Sequence, residues 1–187
     1  MIVRTFIGVP VAPTVELEAV LDELAKMGRT VKPVDAASMH ITLKFLGDTP
    51  QTDVERLKEI VLEHAAAMPR LTLPLIGLDA FPNRDDPSVV WAAMSGTEPI
   101  RNLAEAIEAA VEPLGFAREN RSYKPHLTLA RVRAGRGGIP QAGLTLLQEH
   151  ATTTFGSVSL EEAVLYESKP GLGGPTYEPL ATGKFRE

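Results

Sequence analysis

Histidine is scarce in this chain, with four residues in 187, yet two of the four stand in the same setting: His40-Ile41-Thr42-Leu43 recurs as His126-Leu127-Thr128-Leu129. In an extended strand, residues i and i+2 leave by the same face. Each imidazole therefore shares a face with a threonine hydroxyl, while Ile41, Leu43, Leu127 and Leu129 turn the other way into a core. An unperturbed imidazole titrates at about pH 6.5, so two of them facing one substrate can divide the roles of proton donor and proton acceptor near neutrality. That pair is the minimum needed to open a phosphodiester without a metal ion.

The motifs lie 86 residues apart, one near the middle of each half of the chain, as a duplicated unit would place them. Ile2 to Val9 is rich in apolar and β-branched residues and ends at Pro10, which predicts a strand. Thr14 then caps a helix whose Leu17, Val20, Leu21 and Leu24 recur at helical spacing before Gly28. The first motif strand is expected over 39–46, followed by a turn at Gly47-Asp48-Thr49-Pro50. A helix capped by Thr52 or Asp53 should carry Val54, Leu57, Ile60, Val61 and Leu62.

Strands are expected at 71–78 and 88–94. A helix over 98–114 with an apolar stripe of Ile100, Leu103, Ala104, Ile107 and Val111 should close at Gly115. The second motif strand follows, then an exposed loop from Arg133 to Gly143 and a short helical segment before His150. Thr152–Leu160 and Ala163–Ser168 read as strands, and the latter forms a terminal hairpin with Thr176–Thr182. The mixed order predicts an α+β fold with antiparallel sheets and helices outside, in one domain spanning 1–187.

Composition narrows the chemistry. The absence of cysteine removes disulfides, thiolate nucleophiles and cysteine-based metal sites. No signal peptide or long apolar run is visible, so a cytoplasmic protein with no membrane attachment is expected. A net charge of −5 argues against a duplex-DNA-binding protein. Charge is nevertheless local: Arg118, Arg121, Lys124, Arg131, Arg133 and Arg136, against Glu119 alone, bracket the second motif, and Lys124 and Arg131 are best placed to meet an anion. Gly135-Arg136-Gly137-Gly138 lacks the strand-to-helix context of a nucleotide fingerprint.

Strict alternation puts Lys44 on the face of His40 and Thr42, sends Phe45 into the core and turns Arg131 away from His126 unless a bulge near Ala130 redirects it. Phe6, which shares a face with Arg4, and Tyr123 are the aromatic candidates for contact with a nucleotide, as is Lys44 for charge. His64 and His150 have no such threonine partner and read as ordinary residues.

The chain resembles the two-histidine phosphoesterases, specifically the bacterial RNA 2′,3′-cyclic phosphodiesterases also called 2′-5′ RNA ligases. The resemblance rests on Arg4-Thr5-Phe6-Ile7-Gly8-Val9, Met39-His40-Ile41-Thr42-Leu43-Lys44-Phe45-Leu46-Gly47, Val89-Val90-Trp91 and Pro125-His126-Leu127-Thr128-Leu129-Ala130-Arg131. Leu165-Tyr166-Glu167-Ser168 and Gly174-Pro175-Thr176-Tyr177 extend it to the closing hairpin.

It implies a bilobal fold with a pseudo-twofold axis and a central cleft between two antiparallel sheets, with no cofactor and no metal; the sequence does not read out the oligomeric state, and a monomer is the working expectation. It further implies that His40 is the proton donor, His126 the proton acceptor, and Thr42, Thr128 and Arg131 the phosphate contacts. The implied partners are RNA ends or nucleotides bearing a 2′,3′-cyclic phosphate, hydrolysed to a 2′-phosphomonoester, with reversible 2′-5′ joining of RNA ends as a second activity. A binding module without turnover and a mononuclear metal hydrolase are the alternatives to be separated from this reading.

Overall fold

The computed structural model describes residues 1–133, 138–171 and 174–187, so Gly135, Arg136, Gly137 and Gly173 lie outside the described residues. In chain order the elements are β1 (Ile2–Pro10), α1 (Val15–Ala25), β2 (Val31–Pro33), β3 (His40–Pro50), α2 (Val54–Ala67), β4 (Leu71–Phe81) and β5 (Val89–Met94). After these come α3 (Glu98–Val111), β6 (Leu127–Val132), α4 (Gln141–Glu149), β7 (Thr154–Leu160), β8 (Glu162–Lys169) and β9 (Thr176–Lys184).

The helices form where the apolar spacing places them. Thr14 Oγ1 accepts from the Leu17 N–H at 3.3 Å and donates to the Phe155 carbonyl at 2.7 Å, which caps α1 and ties its start to β7. Leu17, Val20, Leu21 and Leu24 are all buried, each contributing about 2 kcal/mol. On α2 the stripe is Val54, Leu57, Ile60, Val61 and Ala65. Leu62 is 46% exposed, because it lies one residue past the buried face. The stripe of α3 runs into a short 3₁₀ turn that ends at Gly115, whose φ of +92° a side chain would resist.

Two antiparallel sheets result, one of four strands in the order β3-β1-β8-β9 and one of five in the order β2-β6-β5-β4-β7. Set against each other, β3-β1-β8-β9 and β6-β5-β4-β7 correspond strand for strand, and β2 stands outside the correspondence. The helices exchange sides in the same manner. α1 leaves the four-stranded sheet but packs on β2, β6 and β7, whereas α3 leaves the five-stranded sheet and packs on β3 and α2. α2 covers β8 and β9, and α4 covers β4. The fold is thus α+β, two antiparallel sheets with helices against them.

Three segments differ from the sequence expectation. Gly47 to Pro50 continues β3 rather than turning, since Thr5, Arg4, Val3 and Ile2 of β1 pair with Gly47, Asp48, Thr49 and Pro50. An extra residue at Leu46 and the φ of +72° at Gly47 bend the strand without ending it, and the Thr49 hydroxyl lies 2.7 Å from that of Thr5 in the interior. α4 begins within the stretch read as a loop. β2 is too short, at three residues, to show a period. Among the described residues, no helix is long and apolar enough to cross a membrane.

Candidate active site

The motif strands β3 and β6 approach one another across the junction of the two sheets. Both carry the same irregularity. On β1, Gly8 pairs with Thr42 and its neighbour Ile7 pairs with Lys44, so Leu43 is an extra residue; on β5, Trp91 pairs with Thr128 and Val90 with Ala130, so Leu129 is extra. A one-residue bulge resets the alternation. His40, Thr42 and Phe45 therefore share one face of β3, and His126, Thr128 and Arg131 share the equivalent face of β6. Leu43 and Lys44 are both buried, as are Leu129 and Ala130.

Each imidazole is held in the same way. His40 Nδ1 lies 2.8 Å from the Ser38 carbonyl oxygen, and His126 Nδ1 lies 2.8 Å from that of Lys124. A carbonyl oxygen only accepts, so both Nδ1 atoms carry the hydrogen and both Nε2 atoms are left for a ligand. Aromatic rings set the angle. His40 lies 4.8 Å from Phe6 and meets Tyr177 edge-on at 5.3 Å, and a Cβ at Gly8 would stand 3.3 Å from its Cδ2. His126 meets Phe81 edge-on at 5.0 Å and Trp91 at 5.7 Å.

Burial lowers the pKa of both histidines. For His40, burial is opposed by the Ser38 hydrogen bond and reinforced by the charge of Arg131 and by His126. For His126, burial is opposed by the Lys124 carbonyl and reinforced by the charges of Arg131 and Lys124. The Arg131 charge thus opposes protonation of both imidazoles. Lys124 Nζ sits 4.4 Å over the Trp91 ring and 3.7 Å from Asp79 Oδ2, a cation held at the wall beside His126. In the unliganded protein burial therefore disfavours the imidazolium form of both histidines.

Several expectations about side chains are corrected by the bulges. Lys44 does not share the face of His40: it is buried behind the sheet, donating to Glu108 Oε1 at 2.8 Å and to the Ala117 carbonyl at 2.7 Å. Phe45 is not core; it is 62% exposed on the face of Thr42. Phe6 does face this side but is buried beneath His40, Tyr166 and Tyr177, so it supports the imidazole rather than offering an open ring. Arg131, which strict alternation would turn away from His126, is brought to the Thr128 face by the extra residue at Leu129.

Tyr123 donates its hydroxyl to the Thr42 carbonyl at 2.8 Å, and burial pushes its phenol up, so it ties the loop before β6 to β3 as a permanent donor. His64 and His150 lie elsewhere, against the Ala106 carbonyl and the Thr153 hydroxyl. Residues that sequence reasoning missed are the aromatic supports Phe81, Tyr166 and Tyr177, whose pairing across strands depends on register. Among the described residues, no three His, Asp or Glu side chains converge as a metal site would require.

Known proteins share this arrangement of strands. The model of the 2′-5′ RNA ligase superfamily matches residues 13–168. The chain is 34% identical to an RNA 2′,3′-cyclic phosphodiesterase of Aeropyrum pernix over 85% of its length and 89% of the relative's. It is 27% identical to the protein of the same name from Archaeoglobus fulgidus, over 95% and 97% of the two chains. In three dimensions it matches TT0787 of Thermus thermophilus with a TM-score of 0.81, at 27% identity over 98% of each chain. E. coli LigT crystallised with 3′-AMP matches in fold over 100% of each chain, with a TM-score of 0.76 at 24% identity.

Proposed function

Because the chain belongs to the 2′-5′ RNA ligase superfamily, we propose that it is a metal-independent RNA 2′,3′-cyclic phosphodiesterase in which His126 and His40 act as base and acid. The observation that carries this reading is the matched pair of imidazoles. Each is fixed by Nδ1 to a backbone carbonyl and presents Nε2 on the face that also bears a threonine hydroxyl. His126 Nε2 takes a proton from water as the water oxygen bonds to phosphorus. His40, as the imidazolium, gives its Nε2 proton to the departing 3′ oxygen as the P–O3′ bond breaks.

The product is a 2′-phosphomonoester. Thr42, Thr128 and Arg131 meet the nonbridging oxygens, where negative charge increases in the transition state. Phe45, exposed on the same face, offers its ring to a nucleobase. An RNA 5′-hydroxyl in place of water would give a 2′-5′ linkage by the same proton transfers.

The direct test is incubation with a nucleoside 2′,3′-cyclic phosphate in excess EDTA, with the product isomers separated. Undiminished formation of the 2′-phosphate is expected. Loss of turnover on chelation, restored by a divalent ion, would support the metal-hydrolase alternative, and binding without turnover would support the binding module.

The pH dependence should be bell-shaped and should differ between kcat/KM and kcat. In the free enzyme both imidazole pKa values lie below 6.5, so kcat/KM should reach its maximum on the acid side of pH 6.5 and fall as His40 loses its proton. A bound phosphate anion favours the imidazolium, so the alkaline limb of kcat should lie at higher pH than that of kcat/KM. Coincident alkaline limbs, or a rate that climbs steadily to about pH 9, would contradict the assignment.

A further inference from the structure

The correspondence between the two sheets has one exception, β2, and its residues divide cleanly between the two faces. Val31 is buried toward α1, while Lys32 pairs directly with Arg131, and Pro33 with Ala130. Directly paired residues project from the same face. Lys32 therefore stands beside Arg131 on the face of His126 and Thr128. Its ammonium reaches the connection between β8 and β9 of the other sheet, since a Cβ on Gly174 would lie 2.5 Å from Nζ.

Arg133 lies two residues beyond Arg131, on the same face by alternation, and is exposed. Its backbone N–H donates to the carbonyl of Thr30, the residue just before β2. Three cations thus extend from the histidine pair toward the open edge of the five-stranded sheet. One of them, Arg131, lies within electrostatic reach of both imidazoles. The other two lie further along the same surface.

We propose that Lys32 and Arg133 form a second anion subsite that holds internucleotide phosphates of an RNA strand upstream of its terminal cyclic phosphate. This rests on the cyclic phosphodiesterase reading above. Mononucleotides lack the group that this subsite takes, so the extra strand makes the enzyme a reader of polynucleotide 3′ ends rather than of free nucleotides. Phosphate contacts of this kind carry position rather than sequence, so the subsite should be indifferent to the upstream bases.

The test compares the parent with Lys32→Gln and Arg133→Gln on adenosine 2′,3′-cyclic phosphate and on a trinucleotide ending in the same group. Each variant should lose about tenfold more kcat/KM on the trinucleotide than on the mononucleotide, and the slope of log kcat/KM against log salt for the trinucleotide should become shallower by about 0.7 for each contact removed. A neutral methylphosphonate at the penultimate linkage should lower the parent to the level of the Lys32→Gln variant, and Lys32→Arg should retain the parent's preference.

Equal losses on both substrates would overturn the proposal, because Lys32 would then be serving the reacting phosphate. So would the absence of any loss. If the parent hydrolyses neither substrate, the catalytic reading fails. Anisotropy titration of a labelled trinucleotide 2′-phosphate against the same variants still decides the subsite: weaker and less salt-dependent binding supports it, and unchanged binding overturns it.

Discussion

Replacing His126 with alanine should lower hydrolysis of a ribose 2′,3′-cyclic phosphate by about 10²-fold or more, and no choice of leaving group should restore it. His40→Ala should lose as much on the natural substrate yet recover with an activated leaving group, one that departs without a proton. The two residues are anchored alike, each with Nδ1 on a carbonyl two residues upstream, so their anchoring does not distinguish the acid from the base. Packing of both strands rests on the opposite face, on Ile41 and Leu127, and circular dichroism of both variants should match the parent.

Thr42→Val and Thr128→Val keep the branched shape and remove only a hydroxyl, so their losses should be smaller, about 10- to 10³-fold in kcat, where charge builds on phosphate oxygens. Equal rescue of both histidine variants would reverse or dissolve the acid and base assignment. Full activity in either single variant would overturn the two-histidine mechanism.

The largest expected effect on stability lies behind the site, at Glu108→Ala. The Lys44 side chain is 2% exposed, and its ammonium is compensated by Glu108 and the Ala117 carbonyl. Removing the carboxylate strands a buried charge, which costs about 3 kcal/mol and should lower Tm by about 6–12 °C for a domain of this size. The double variant Lys44→Met/Glu108→Leu should recover most of that loss, because an apolar pair of similar volume needs no compensation.

The pH dependence follows from the same contact. Burial alone would raise the Glu108 pKa, but the hydrogen bonds from Lys44 and from the Glu119 N–H, with the charge of Lys44, hold it below 4.5. A carboxylate with a depressed pKa stabilises the folded state above its unfolded value and loses that contribution as pH falls through the folded one. The stability difference between the parent and Glu108→Ala should therefore shrink below about pH 4.5. A Tm for Glu108→Ala equal to the parent's at pH 7 would show that Lys44 needs no carboxylate.

What the sequence discloses and what it conceals follow from the range of the interactions involved. The His-x-Thr strands, the stripes of α1 and α3 and the closing hairpin are local patterns with periods of two or about 3.6, and all are legible in the order of residues alone. Leu43 and Leu129 are different. Nothing in either string marks them as extra residues, since a bulge exists only relative to the partner strand. Yet each one reverses the side chains that follow it, taking Lys44 to the interior, Phe45 to the surface and Arg131 to the face of Thr128. β2 escaped notice because three residues contain no period, although it brings Lys32 beside Arg131. The exchange of α1 and α3 between the sheets depends on which apolar face meets which, a choice that helical spacing does not encode.

That exchange has a consequence for how the chain acquires its shape. The four-stranded sheet draws on residues 2–10, 40–50, 162–169 and 176–184, and the five-stranded sheet on 31–33, 71–81, 89–94, 127–132 and 154–160. Cutting the chain between α3 and β6 would give two pieces, neither containing a whole sheet. Neither sheet is the product of one continuous half of the sequence. The ends of the sequence must meet across more than a hundred intervening residues before β1 finds β8, and closing so long a loop sets the order of events as well as the rate. Both sheets that carry the His-x-Thr strands are therefore completed only when early and late parts of the sequence meet, and neither half of the chain by itself supplies a whole one.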